Sequence, residues 1–246
     1  FASLATGNAV VVKPHPAAVL PLAITVKIVR DVLAEAGFDP NVVTLVAHAA
    51  GDDVAQKLAL RPEVRIIDFT GSSANGAWLE EHARQAQVYT EKAGVNQVIV
   101  DSTADLPGLA RNLAFSLSLY TGQMCTAPQN IYVPRGGIET PEGRKSFDEV
   151  ANAIAEGVRK LLGDPARAVE VLGAVQNRGV LDRLDRARGL GPILLDTQVV
   201  PHPLFPDATV RTPLIVDARH VISAPDARAA GFDLVPLGGG DRIQWK

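Results

Sequence analysis

Alternation between strand-like and helix-like apolar spacing is the feature that most constrains this chain. Runs of β-branched residues that end at turn residues predict strands, and apolar residues that recur every three or four positions predict helices. The order β-α-β-α-β results over residues 9–12, 20–36, 42–46, 52–60 and 65–69. Such alternation predicts an α/β fold, with a parallel open sheet covered by helices on both faces and ligands beyond the carboxyl ends of the strands.

The same alternation continues in the second part of the chain, after a turn at residues 70–73. We predict a domain boundary near Glu91 and an irregular segment at residues 120–125, where an apolar helix ends. The predicted helices are 74–86, 106–119 and 142–162, and the predicted strands are 97–100 and 130–133.

Composition excludes several classes of function. The net charge is −3 and the basic residues are scattered, so the chain lacks the basic face that nucleic acid or an anionic membrane surface would need. No apolar run approaches the roughly 20 residues of a membrane span. One cysteine forms no intrachain disulfide and the five histidines have no metal-ligand spacing, which favours a reducing cytoplasm and no metal. The expected partners are therefore small molecules.

The first residues of the chain suggest that it starts inside a domain. Phe1 stands where a full-length protein has Met, and the first five residues have the pattern of a helix end packed against a strand. We therefore expect an internal piece of a longer protein, and no signal peptide.

Cys125 and Glu91 are the residues whose context suggests chemistry. Cys125 is the only cysteine, and it follows an apolar helix within a segment of glycine and small polar residues, Thr121 to Thr126. Taken alone, a single cysteine is most often an inert buried side chain, and a single glutamate is most often a surface acid. The case for catalysis comes from the two residues together with their neighbours.

Four ordered segments resemble signatures of the aldehyde dehydrogenase superfamily. Two correspond to turns that hold the cofactor, one to the Glu-Leu-Gly-Gly signature of the base, and one to the Gly-Gln-x-Cys signature of the nucleophile. Glu91 and Cys125 are 125 − 91 = 34 positions apart, as the family pattern requires. The segments are residues 7–14 (GNAVVVKP), 69–72 (FTGS), 91–94 (EKAG) and 122–125 (GQMC).

The resemblance implies catalytic roles for two residues. Cys125 would add to an aldehyde carbonyl, and Glu91 would activate water against the resulting thioester. The backbone N–H of Cys125 would supply one oxyanion donor, while the family's second donor is an asparagine that would precede this chain.

The resemblance also implies a cofactor site and a division into domains. Lys13 and Pro14 would face the adenosine ribose, and Gly71 and Ser72 would form the second cofactor turn of an NAD(P) site. From the residues alone, helix capping by Ser72 or Ser73 is as acceptable as phosphate contact, and a lysine at a strand end such as Lys13 is more often simply solvated. The implied domains are the C-terminal part of an incomplete Rossmann-like NAD(P)-binding domain at 1–90 and an α/β catalytic domain, incomplete at its C-terminal end, at 91–246.

Departures from the family pattern change some of these expectations. Pro16 replaces a glutamate that holds the ribose hydroxyls in NAD-preferring relatives, so NADP is at least as plausible as NAD. Ala93 replaces a glycine of the base signature and alters backbone freedom beside Glu91. No Glu-x-Phe-Gly-Pro segment, which grips the nicotinamide ribose in the family, follows Val216. We therefore expect the isolated chain to be inactive.

Several functional alternatives follow from the same resemblance. The leading prediction is oxidation of a small-molecule aldehyde to a carboxylic acid with NADP or NAD, and the finer motif variants resemble the phenylacetic-acid-degradation branch, the PaaN group. With coenzyme A in place of water, the product would be an acyl-CoA. A non-catalytic remnant that binds a cofactor or a partner is the third alternative. The family analogy also implies a homo-oligomer.

Overall fold

The computed structural model describes residues 2–218, which form two compact units. The first unit ends at Ala93 and the second begins at Gly94. The residues after Ala218, where the sequence lacks the expected Glu-x-Phe-Gly-Pro segment, lie outside the described range.

Two β-α-β units make up the first compact unit, and the last strand of the second unit was not predicted. Strand β1 pairs in parallel with β2 and strand β3 in parallel with β4, each pair being joined through a helix. The elements are α1 (Ala2–Ala5), β1 (Val10–Val12), α2 (Val19–Glu35), β2 (Val43–Leu45), α3 (Val54–Ala59), β3 (Ile66–Gly71), α4 (Ser73–His82) and β4 (Gln87–Lys92), with short 3-10 helices at Pro16–Ala18 and Pro40–Val42.

Strand β4 contains Glu91, near which we predict the domain boundary. Tyr89 to Glu91 lie inside β4, which pairs with β3 along its whole length and was not among the predicted strands. Its alternation of partly buried and exposed residues is short and includes charged side chains, so it gives a weak strand signal. The two compact units divide between Ala93 and Gly94, just beyond this strand.

A third parallel β-α-β unit opens the second compact unit. Strand β5 pairs in parallel with β6, whereas β7 with β8 and β9 with β10 are antiparallel pairs that were not predicted. The elements are β5 (Asn96–Ile99), α5 (Leu106–Ser118), β6 (Pro128–Tyr132), β7 (Ile138–Thr140), β8 (Gly143–Lys145), α6 (Phe147–Leu161), α7 (Pro165–Val171), α8 (Gly179–Ala187), β9 (Ile193–Leu195) and β10 (Ile215–Val216), with 3-10 helices at Leu119–Gly122 and Arg188–Leu190.

Helix α6 begins later than predicted. The predicted start at Glu142 is wrong because Gly143–Lys145 forms strand β8, which turns back on β7. Ser146 then caps the helix: its hydroxyl accepts from the N–H of Glu149, and the Glu149 carboxylate accepts from the N–H of Ser146. This reciprocal capping box sets the first turn of α6.

Helices α5 and α6 pack together over a buried apolar cluster. The cluster consists of Val100, Leu113, Ile138, Val150 and Ile154. A Cβ added at Gly157 of α6 would lie 2.9 Å from the carbonyl oxygen of Ala110, so glycine permits the close approach of the two helices. The end of α5 is thereby fixed, and the segment carrying Cys125 starts there.

Replacing Ser146 tests the capping box. We expect Ser146→Ala to lower the free energy of unfolding by about 1 kcal/mol, because the N–H of Glu149 loses its acceptor. Urea denaturation measures the change, and Ser116→Ala, which removes a hydroxyl from the last turn of α5, serves as the control. An equal loss from both substitutions would contradict the capping role.

Low pH should weaken the capping box formed by Ser146 and Glu149. Hydrogen bonds from the backbone N–H and the hydroxyl of Ser146 hold the pKa of Glu149 below its ordinary value. A carboxylate with a lowered pKa contributes stability above the pKa of the unfolded chain and loses it as the pH falls through the folded pKa. The destabilisation by Ser146→Ala should therefore shrink in acid.

Candidate active site

The segment that carries Cys125 has an unusual backbone. Tyr120, Thr121 and Gly122 follow one another at φ values of 50°, 59° and 66°, in the left-handed region. The left-handed conformation costs a residue with a side chain about 1–2 kcal/mol, so neighbouring contacts must hold Tyr120 and Thr121 in place. The turn leaves the side chain of Cys125 exposed between α5 and β6.

Two groups of hydrogen bonds fix this turn. The Thr121 hydroxyl donates to the carbonyl of Gly173 over 2.5 Å, and the Gln123 side chain is bonded to residues 174 and 176. On the other side, the Asn96 amide donates to the carbonyl oxygen of Cys125. Sequence reasoning identifies Cys125 but not residues 173–176, since no motif marks them.

Glu91 lies near the carboxyl end of β4 with its side chain exposed. The residues on either side, Thr90 and Lys92, both bond to the carboxylate of Glu80 on α4, over 2.5 Å and 2.8 Å. Because successive side chains of a strand point to opposite faces, Glu91 points away from α4. Within residues 2–218 no hydrogen bond or ion pair of the Glu91 carboxylate is found.

Lys92 should control the ionisation of Glu80. Hydrogen bonds from Lys92 first, and from Thr90 second, hold the pKa of Glu80 below its ordinary value. We expect Lys92→Met to raise this pKa, as measured by NMR titration of the carboxyl carbon, while Lys57→Met on α3 leaves it unchanged. The stability contributed by the pair is present above the ordinary glutamate pKa and is lost as the pH falls through the lowered one. If the pKa of Glu80 is the same in Lys92→Met as in the wild type, Lys92 is not the cause of the lowered pKa.

The predicted cofactor turn lies beside Glu91. Gly71 ends β3, and the strand register pairs Thr70 with Glu91 and Gly71 with Lys92. A Cβ at Gly71 would come within 2.7 Å of the Phe69 ring, so a side chain there would displace the ring. The structure therefore brings the turn and the candidate base to one edge of the β3–β4 pair.

Ser72 caps helix α4, which is one of the two roles considered for it. Its hydroxyl accepts from the N–H of Asn75 over 3.3 Å. The remaining N–H groups of the first turn, those of Ser73 and Ala74, have no intrahelical partner, as at any helix start. Capping and anion binding are thus compatible, because they use different N–H groups.

Lys13 and Pro14 follow directly after β1. Pro14 is fully buried, whereas Lys13 is partly exposed and no bond to its ammonium is found in the part of the chain that the structure describes. His15 caps the 3-10 helix that begins at Pro16, since its Nδ1 accepts from the N–H of Ala17. The loop places Lys13 at the carboxyl end of a parallel strand, where ligands of this fold class bind.

Two kinds of feature are missing from residues 2–218. No group of three or more His, Cys, Asp or Glu side chains in this range could hold a metal ion. No helix there has the length and the apolar character that crossing a bilayer takes.

Comparison with known proteins identifies the family. The model of the aldehyde dehydrogenase family matches residues 1–188. The chain belongs to the aldehyde dehydrogenase family. The fold predicted from the sequence is that of the family, which confirms the α/β prediction.

Relatives within the aldehyde dehydrogenase family are longer than this chain. The crystal structure of an NAD-dependent aldehyde dehydrogenase from Burkholderia multivorans is 68% identical, with a TM-score of 0.82, and the match covers 87% of this chain and 39% of that one. Geranial dehydrogenase of Castellaniella defragrans is 33% identical over 78% of this chain and 34% of its own length. 1-Pyrroline-5-carboxylate dehydrogenase of Geobacillus thermodenitrificans is 30% identical over 74% of this chain and 35% of its own length. The chain thus spans about a third of the curated relatives it matches.

Proposed function

We propose that this chain carries the nucleophile and the general base of an enzyme that oxidises an aldehyde to a carboxylic acid with NAD or NADP. The observation that carries the proposal is the exposed thiol of Cys125 on a strained, hydrogen-bonded turn. Strained backbone persists only where surrounding contacts hold it, and it concentrates at active sites. The family supplies the type of reaction.

Cys125 and Glu91 have separate steps in this reaction. The thiol loses its proton and adds to the carbonyl carbon to form a thiohemiacetal, whose oxyanion the N–H of Cys125 stabilises. The C–H bond breaks with transfer of hydride, leaving a thioester on Cys125. Glu91 takes a proton from the water that attacks the thioester and returns it to the departing sulfur, so the carboxylic acid and the free thiol are released.

Residues at the strand ends of the first unit fit a dinucleotide. Gly71 and the unpaired N–H groups of Ser73 and Ala74 suit a pyrophosphate, Ser72 holds the turn, and Lys13 with Pro14 suits the adenosine ribose. When bound, the nicotinamide supplies the hydride acceptor. Lys13, Pro14, Gly71 and Ser72 are therefore our proposed cofactor-binding residues.

Pro16 should set the choice between NAD and NADP. It opens a short 3-10 helix just beyond Lys13, and no carboxylate stands there to repel a 2′-phosphate. We expect Pro16→Glu to weaken NADP binding by about tenfold with little effect on NAD, as measured by calorimetry. Pro40→Glu, at the same position of the other 3-10 helix of this unit, is the control. Equal weakening of both cofactors would contradict the proposal.

The finer substrate assignment is an aromatic-catabolic or CoA-linked semialdehyde, as in the PaaN group. It rests on the motif variants around Lys13, Glu91 and Cys125. The free carboxylate of Glu91 favours hydrolysis of the thioester over transfer to coenzyme A, because hydrolysis uses a base for water. By the same analogy we propose a homo-oligomer.

Product analysis tests the function. The protein, in the form that its gene encodes and in parallel as residues 1–246, is incubated with aliphatic, aromatic and CoA-linked aldehydes, with NAD or NADP, with and without coenzyme A. Formation of NADH or NADPH together with a carboxylic acid supports the proposal. An acyl-CoA product would instead establish the acylating reaction. Absence of both turnover and cofactor binding in the encoded protein would indicate a non-catalytic remnant.

A further inference from the structure

The side chain of Gln123 ties the nucleophile turn to a distant part of the chain. Its amide nitrogen donates to the carbonyls of Tyr120 and Ala174, each over 2.9 Å, and its amide oxygen accepts from the N–H of Gln176 over 2.9 Å. Both amide hydrogens and the oxygen are thus in use. The first of these bonds lies within the turn, and the other two reach residues about 50 positions later.

Only a primary amide satisfies this arrangement. Two of the three partners are carbonyls, which accept, and the third is an N–H, which donates, so the orientation of the amide follows from its partners. A carboxylate at position 123 would face two carbonyl oxygens without a proton to share. Methionine would fill a similar volume and make none of the three bonds.

The segment that receives these bonds, residues 173–176, is itself anchored, and we refer to it as the support segment. Leu172, immediately before it, is buried in a second apolar cluster with Val210. Val175 donates to the carbonyl of Thr209 over 2.7 Å, and Ala174 forms a bridge with Val210. The support segment therefore offers fixed partners to the turn.

The two pieces of backbone also touch. A Cβ at Gly173 would lie 3.2 Å from the Cα of Tyr120, which is closer than side-chain contacts usually come. The Thr121 hydroxyl bonds to the carbonyl of the same glycine. Glycine at position 173 thus lets the support segment pass beside the two left-handed residues that carry side chains.

We propose that Gln123 is a positioning residue for Cys125, and that it acts through the support segment. The three bonds offset the cost of the left-handed turn and hold the thiol, two residues further on, in one orientation. Gln123 itself does not react. The inference rests on the proposed function, in which Cys125 is the nucleophile.

Two substitutions on opposite sides of the contact test the proposal. Gln123→Met removes the three bonds, and Gly173→Ala inserts a methyl group between the support segment and Tyr120. Gln129→Met, at an exposed position of β6 beyond Cys125, is the matched control. We expect kcat for aldehyde oxidation to fall about a hundredfold in both test variants, since a misplacement of about 1 Å costs that much. The KM for the aldehyde and the Kd for NAD should change little.

Two readouts do not need turnover. Amide hydrogen exchange of Gln176 should become about tenfold faster in Gln123→Met, because its acceptor is gone. The rate of alkylation of Cys125 by iodoacetamide, followed by mass spectrometry of the peptide that contains it, should differ from that of the control. If the Gln123→Met variant does not fold, the Gly173→Ala variant alone tests the positioning role.

The outcomes separate this inference from the proposed function. If Cys125→Ser abolishes turnover while both test variants keep the kcat of the control, the positioning role is wrong and the function stands. If Cys125→Ser keeps full turnover, the proposed function fails. In that case, or if the wild type shows no turnover, the two other readouts test the positioning role. Unchanged rates of Gln176 amide exchange and Cys125 alkylation in the test variants would overturn it, and changes in both rates would support it.

Discussion

Cys125→Ser should lower the rate of aldehyde oxidation by at least about a thousandfold in the encoded protein, because a serine hydroxyl is a much weaker nucleophile than the thiolate that forms the covalent adduct. Serine is nearly isosteric with cysteine, and the side chain at position 125 is exposed, so the fold should be unaffected. Initial rates of NADH and NADPH formation at saturating aldehyde measure the loss. Cofactor affinity should remain at the wild-type value.

The adjacent Met124 supplies the control for this substitution. Met124→Leu conserves volume and leaves Cys125 in place, so it should keep most of the activity. Full activity in Cys125→Ser would show that the thiol is not the nucleophile. A comparable loss in both variants would mean that the turn is merely sensitive to change.

Glu91→Gln should separate the two halves of the reaction. Hydride transfer needs Cys125 but no base for water, so one equivalent of reduced cofactor should form rapidly. Release of the acid should then slow by about a hundredfold, the usual contribution of a general base. Rapid-mixing measurements of cofactor absorbance would show this burst followed by slow turnover.

Glu81 on α4 provides a matched exposed carboxylate in the same compact unit. Glu81→Gln should leave both phases at the wild-type rate. Wild-type turnover without a burst in Glu91→Gln would exclude Glu91 as the base. Loss of the burst itself would place Glu91 in the first half of the reaction instead.

Elements with strong periodicity were predictable from the sequence. The runs around Val11 and Val98 and the apolar spacing of α2 and α5 each led to the observed strand or helix within a few residues. The turn at residues 120–122 was predicted as irregular, and the structure gives the reason in its left-handed backbone. Such local features are predictable because they depend on neighbours in the chain.

Elements that depend on distant contacts were not predictable. Strand β4 has charged residues at its end and is defined by its pairing with β3, and β8 exists through its hairpin with β7. The support segment likewise has no signal of its own, because its role comes from bonds to Thr121 and Gln123 about 50 residues earlier. The pair of Lys92 and Glu80 arises only when α4 is placed beside β4.

Mass spectrometry of the Glu91→Gln variant tests the central claim most directly. The encoded protein is mixed with an oxidisable aldehyde and excess NAD or NADP, quenched in acid during the burst, and digested. The account predicts that the peptide containing Cys125 gains the mass of the acyl group, and that hydroxylamine removes it, as expected for a thioester. An unmodified Cys125 peptide in a sample that has formed reduced cofactor would contradict the account.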